Sequence, residues 1–414
     1  MSALQPVRGT RDILPEEMRR HRVVTDTAAE VAGRYGYLEM STPVFEFTEV
    51  FKRSLGDTSD VVTKEMYTFA MKEGEQITLR PEATAGIARA FISNGLVQQL
   101  PQKFFYSGPM FRHERPQKGR QRQFHQIDVE LLGVAEPLGD VEIIAVGAHI
   151  LAALGVLPRT TLELNTLGDP ESRGGYRAAL IEYFGDHRDR LSKDSLDRLE
   201  RNPLRILDSK DEGDRRLVAD APLFGDHLNQ ASVDFFGRVT AGLEALGIAY
   251  RLNPRLVRGL DYYTHTAFEF TTTELGAQSA VLAGGRYDGL IETIGGPPTP
   301  GIGWAAGVER LAMLLAHAPA APRPIAVVPL GGRAEELALA LVQRLRHEGF
   351  AIDLGFSGNI KKRMKRADRV GARAAVILGE DELAKESATL RDLDTGEQEL
   401  VSLDTLSDRL ARYS

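Results

Sequence analysis

Along residues 123–132 (QFHQIDVELL), Ile127, Val129 and Leu131 alternate with Gln126, Asp128 and Glu130. Successive strand side chains point to opposite faces, so this pattern predicts a strand with three polar groups on one face. Residues 103–112 (KFFYSGPMFR) are aromatic and read as extended. The polar basic stretch HERPQKGRQR joins the two runs into a long-looped antiparallel hairpin. Residues 15–35 predict a helix, with Glu16 and Glu17 suited to its first turn and Gly36 to its end. Residues 140–154 are helical and apolar. The stretch 169–246 is charge-dense, broken by Pro203 and Pro222, and mostly helical in pattern. It reads as an insertion, at about 168–246, between strand-rich parts. Strand-like runs follow at 256–272 and 279–282. GGRYDGL (284–290) reads as a glycine-supported turn, and the glycine-rich stretch 301–307 runs into the helical VERLAMLLAHA.

At 316–324, AHAPAAPRP reads as a linker closing a first domain of residues 1–318. Beyond it, short buried-type strands at 325–330, 351–354 and 374–378 alternate with helices at 335–348 and 359–370. This predicts a second, small α/β domain at 325–414 with a parallel core. A last hairpin turns at Asp394, Thr395 and Gly396.

Composition narrows the class without naming it. Of 414 residues, 43% are hydrophobic and 26% charged, ordinary for a globular protein able to bury a large core. The absence of cysteine excludes disulfides, thiolate metal sites and cysteine nucleophiles. No stretch reads as a signal peptide or a membrane span, so a soluble, cytoplasmic protein without a membrane partner is expected. Net charge is −7, which still permits nucleic-acid binding where basic residues cluster.

Candidate chemistry gathers in five places. Arg112, Arg115, Lys118, Arg120 and Arg122 crowd the hairpin loop just before Phe124. Guanidinium groups beside an aromatic ring suit a phosphate-bearing base, though a solvated basic loop has the same composition. TLRPEAT (78–84) brings Glu82 and Thr84 to a strand-to-helix junction, where taken alone helix capping is the better explanation. LVRGLDYYTHTAFE (256–269) sets Arg258 in an apolar, aromatic run beside Tyr262 and Tyr263. A buried arginine needs an anionic partner, and Asp261 is one candidate. GIGWAAGVER (301–310) leads glycines into a helix carrying Arg310, a weak phosphate signal or close packing. NIKKRMKRADRVGAR (359–373) makes a basic surface that suits an RNA backbone or is simply solvated. His113, His125 and His265 have no metal-ligand spacing, and no structural metal is expected.

Order and combination go further. FRHE (111–114), RPQKGRQRQFHQ and GIGWAAGVER resemble motifs 2 and 3 of class II aminoacyl-tRNA synthetases, and GYLEMSTPVFEFTEVF resembles motif 1. LVRGLDYYTHTAFE and GGRYDGL resemble the two histidine-specific signatures of histidyl-tRNA synthetases. TLRPEAT, FHQIDVE and the opening VRGTRDILP also match that family, although Ala83 stands where glycine is frequent. The resemblance covers nearly the whole chain. It implies an α/β protein with an α+β catalytic core: a mixed, mainly antiparallel sheet with flanking helices, a helical insertion and a C-terminal anticodon-binding domain. It implies L-histidine, ATP with Mg²⁺, and tRNA(His) as substrates, and a homodimer formed through motif 1. By the same resemblance, Arg112 and Arg258 would be catalytic, and Glu114, Arg120, Phe124 and Arg310 would bind ATP with Arg112. Glu82, Thr84, Gln126, Glu130, Tyr262, Tyr263 and Tyr287 would bind histidine along with the two arginines. Lys361, Lys362, Arg363 and Arg366 would contact tRNA. The alternative is a non-catalytic histidyl-synthetase-like regulatory subunit of ATP phosphoribosyltransferase, which typically lacks the C-terminal domain.

Overall fold

The two long strands of the predicted hairpin form at Gln102–Phe111 and Gln123–Leu132, antiparallel along their full length. The structure is a computed structural model and describes residues 4–413 except 57, 58, 60, 73, 118, 258–261, 277, 278 and 318. The hairpin supplies the second and third strands of an eight-stranded sheet, ordered Leu38–Glu39, Gln102–Phe111, Gln123–Leu132, Gly301–Gly307, Ala280–Arg286, Thr264–Thr271, Thr161–Thr166, Arg251–Leu252. Only the two outermost pairings are parallel. The expected mixed, mainly antiparallel sheet is therefore present.

Alternation decides which face carries the core. Ile127, Val129 and Leu131 are buried with Phe268, Phe270, Leu282 and Trp304 against the helices Pro15–Arg34, Pro137–Ala153 and Val308–Leu314. Burying such aliphatic side chains contributes about 1.5–3 kcal/mol each. The indole N–H of Trp304, the only tryptophan, donates to Ile143 O at 2.9 Å across this layer. The opposite face of the strand is left to Gln126, Asp128 and Glu130.

GGRYDGL is not a turn at its start. Gly284, Gly285 and Arg286 lie within the strand Ala280–Arg286. A β-carbon on Gly284 would strike Gly303 O and Trp304, and one on Gly285 would strike Thr266 O. These glycines serve close strand approach, a reason that a single sequence does not display. Arg286 is wholly buried and donates to Asp140, Asp288 and the carbonyls of Val134 and Glu136.

Within the predicted insertion, Pro170–Asp186, Lys193–Arg201 and Glu212–Asp220 enclose their own core of Tyr176, Leu180, Phe184, Leu199, Ile206 and Phe224. Asp214 ties it internally, accepting from Ser192, Ser195 and Ser209 at 2.6–2.8 Å. The last helix, Gln230–Ala245, instead packs on Pro137–Ala153, placing Val239 and Leu243 in the main core.

The chain divides into two compact units, Met1–Pro319 and Ala320–Ser414. The second has a five-stranded sheet ordered Ile352–Leu354, Ile325–Pro329, Ala374–Leu378, Ser387–Asp392, Gln398–Ser402, parallel in its first two pairings and antiparallel after. Asp392 accepts from the backbone N–H of Asp394 and Thr395, and Gly396 takes φ of 81°, closing the final hairpin. No helix among the described residues is long and apolar enough to cross a membrane.

Candidate active site

The polar face of Gln123–Leu132 floors a cavity of about 590 Å³ in the large unit. Eleven of the predicted residues line it: Glu82, Thr84, Arg112, Glu114, Arg120, Phe124, Gln126, Tyr262, Tyr263, Tyr287 and Arg310. Glu130 lies just beneath. Arg258 falls outside the described residues, as do Lys118 and Asp261.

One end of the cavity is built around two buried carboxyls. Thr84 and Tyr287 both donate their hydroxyls to Glu130. Glu82 accepts from Ala85 N–H at 3.0 Å and Tyr262 OH at 2.9 Å, so it both caps the helix Thr84–Ser93 and faces the cavity. Tyr262 packs on Tyr263 at 4.6 Å and edge-on to Tyr287 at 5.7 Å between ring centroids. Burial pushes the Glu130 carboxyl up to about 8, against the opposing pull of its two hydroxyl donors. Burial likewise raises Glu82.

Glycines of the strand Gly301–Gly307 make this end possible. A β-carbon on Gly303 would collide with the Glu130 carboxyl, and one on Gly301 with the ring of Tyr287. These two glycines of GIGWAAGVER thus serve close packing, against Glu130 and Tyr287, and not a phosphate.

The other end is cationic. Arg112 donates to Pro81 O at 2.8 Å and holds its guanidinium 5.4 Å from the Phe124 ring centroid. Arg120 is ion-paired with Glu114 at 2.5 Å. Arg310 donates to Gly119 O at 3.1 Å and Ala280 O at 2.7 Å. Phe124, two arginines of the hairpin loop and one of the helix Val308–Leu314 thus flank one space, an arrangement that suits a planar base with phosphates.

Several contributors escaped the sequence reading. Glu309 accepts from His125 N at 3.0 Å and pairs with His125 Nδ1 at 2.8 Å, fixing the backbone beside Phe124. His21 joins them, its ring 5.7 Å from that of His125. These three come from segments far apart in sequence, so spacing gave no signal. Arg11 and Glu17 pair at the cavity edge. The opening segment is pinned to the basic loop where Arg122 N–H donates to Gly9 O at 2.7 Å, which gives VRGTRDILP a structural role. Asp128 also lines the cavity.

In the small unit the basic surface needs one correction. Lys361 and Lys362 are exposed, and Arg366 is half-buried and paired with Asp353 at 2.7 Å. Arg363 is only 4% exposed. It donates to Gly355 O at 2.6 Å, Gly358 O at 2.7 Å and Glu335, so it is turned inward as a tie between helix and loop. The partner Glu335 is remote in sequence, which hid this role.

A mixed, mainly antiparallel sheet whose open face joins an arginine-flanked space to an acidic, tyrosine-walled pocket is the arrangement of a class II aminoacyl-tRNA synthetase. The profile of the histidyl-tRNA synthetase family matches residues 9–311, and that of the anticodon binding domain matches residues 324–413. The chain belongs to the histidyl-tRNA synthetase family. It is 64% identical to the histidine–tRNA ligase of Rhodospirillum rubrum over the whole of both chains. It is 58% identical to that of Gluconacetobacter diazotrophicus over 99% of each. The apo histidyl-tRNA synthetase of S. aureus superposes with a TM-score of 0.83 at 35% identity, covering 98% of this chain and 99% of that one. Full-length ligase relatives and the C-terminal domain do not favour the regulatory-subunit alternative.

Proposed function

We propose that the cavity of the large unit performs both steps of histidine–tRNA ligation, with the residue roles that follow. The chain is a histidine–tRNA ligase: it activates L-histidine with ATP and passes histidine to the 3′ end of tRNA(His). The observation that carries the residue assignment is the union of two chemically opposite ends in one space. An acceptor-rich, tyrosine-walled end suits an amino acid with an ammonium group and an imidazole N–H, and a guanidinium-rich end suits a triphosphate.

In the first step a carboxylate oxygen of histidine attacks the α-phosphorus of ATP, and pyrophosphate leaves. Two anions must approach, which is costly unless their charge is offset. Arg112 offsets it at the developing charge, and Arg258 is assigned the same task by the family resemblance. Phe124 and Arg310 hold the adenine between them, Arg120 reaches the outer phosphates, and Glu114 helps hold the nucleotide. ATP enters as its Mg²⁺ complex. Glu82, Thr84 and Gln126 hold the amino end of histidine, Glu130 and Tyr263 read the imidazole, and Tyr262 and Tyr287 wall the pocket. Pairing both ring nitrogens strands buried polar groups when any other side chain enters, a discrimination of about 10⁴–10⁵ in favourable cases. The second step transfers histidine to the terminal adenosine, with the small unit on the anticodon through Lys361, Lys362 and Arg366.

The unit boundaries support a catalytic domain at 1–318 and an anticodon-binding domain at 325–414, joined near 316–324. Exposed Phe45, Phe47 and Phe69 on the three-stranded sheet of Phe45–Phe47, Tyr67–Ala70 and Gln76–Leu79 support a homodimer through that face. The working site is the cytoplasm. Exchange of labelled pyrophosphate into ATP, with each of the twenty amino acids in turn, tests the assignment. Histidine alone should support exchange; exchange with a different amino acid would refute the roles given to Glu130 and Tyr263.

A further inference from the structure

Three acceptor oxygens on one face of Gln123–Leu132 have no hydrogen-bond partner among the described residues: both oxygens of the Asp128 carboxyl and Oε1 of Gln126. The neighbouring carboxyls differ. Glu82 has a donor on each oxygen, from Ala85 and Tyr262, and Glu130 has one on each, from Thr84 and Tyr287. Asp128 is 1% exposed yet borders the cavity. A buried carboxyl without donors is costly and rare. Its presence here points to a donor that arrives with the ligand.

Position limits what that donor is. Asp128 stands in register between Tyr106 and Ala305 on the flanking strands, two residues from Gln126 and two from Glu130. It therefore occupies the middle of the amino-acid end. Burial, then the adjacent Glu130 and Glu82, hold its carboxyl well above the usual range, against Arg80 and Arg112. A ligand carboxylate would worsen this crowding of anions. A compact cation with three N–H donors matches three open acceptors, and a primary ammonium is such a group.

We propose that Asp128 is a binding residue of the amino-acid subsite and receives the α-ammonium of the substrate together with Gln126. The proposal rests on the histidine reading for the identity of that substrate. It makes Asp128 a third carboxyl of the subsite, beyond Glu82 and Glu130.

Binding of two histidine analogues to wild type and Asp128→Asn tests it by calorimetry. Histidinol keeps the ammonium and lacks the carboxylate; imidazolepropionate keeps the carboxylate and lacks the ammonium. Asp128→Asn should weaken histidinol about 10–100-fold and leave imidazolepropionate within about twofold. Because the substitution removes an unpartnered buried carboxyl, the ligand-free variant should melt at or above the wild-type temperature. That separates lost binding from lost folding. Equal loss for both analogues, or none for histidinol, overturns the assignment and leaves Asp128 as packing around Arg80 and Tyr106. Failure of the wild type to bind either analogue overturns the histidine reading itself, and this assignment with it.

Discussion

Gly303 stands directly opposite Glu130 in the sheet, and the space where its side chain would be is filled by the Glu130 carboxyl. Gly303→Ala therefore forces that carboxyl out of its pocket. Overpacking of this kind costs about 1–3 kcal/mol in folding stability. Chemical denaturation should show that loss, and histidine-dependent pyrophosphate exchange should show a raised KM for histidine.

Glu130 itself should act on histidine and not on ATP. Glu130→Gln keeps the shape but replaces one acceptor oxygen with an amide N–H, and the loss of a buried hydrogen bond of this kind corresponds to about a 10–100-fold rise in KM for histidine. The KM for ATP, measured in the same exchange assay, should stay near wild type.

The same residue sets a pH dependence. Its folded value of about 8 lies above that of an unfolded glutamate. A raised value means the fold holds the proton more tightly than the open chain does. This contribution to stability is complete below the unfolded value and is lost as pH rises through the folded one. Melting temperatures of the ligand-free protein should fall between about pH 5 and pH 9, and less steeply in Glu130→Gln.

Arg112 is assigned to the charge that develops during activation. Arg112→Gln should lower kcat of exchange by about 10²–10³, the usual effect of removing one such donor, while the protein still folds. A change confined to a raised KM for ATP, with kcat intact, would count against this role.

The Arg286–Asp140 pair tests the scaffold instead of the chemistry. Both side chains are wholly buried. Removing one partner strands the other, so Asp140→Ala should destabilise by about 3–5 kcal/mol in urea unfolding.

What could be read in advance follows from where the causes lie. The strand 123–132 was legible to the residue because alternation is a local signal, and its polar face already named Gln126 and Glu130. Glu82 and Thr84 sat at a helix start that was equally legible, but their meeting with Tyr262 and Glu130 depends on pairings far along the chain. Gly284 and Gly285 were misread because their constraint comes from adjacent strands. Arg363 was misread because a buried guanidinium and a solvated one look alike until Glu335 is placed beside it.

Trp304 offers a practical consequence. It is the chain's only indole, it is 2% exposed, and it follows Gly303 in the strand that backs the amino-acid pocket. The molecule thus carries a single intrinsic fluorophore within one residue of the position that accommodates Glu130. Its emission has no second tryptophan to average over. Occupancy of the pocket should be readable from the native protein by light alone, without a label or a coupled reaction.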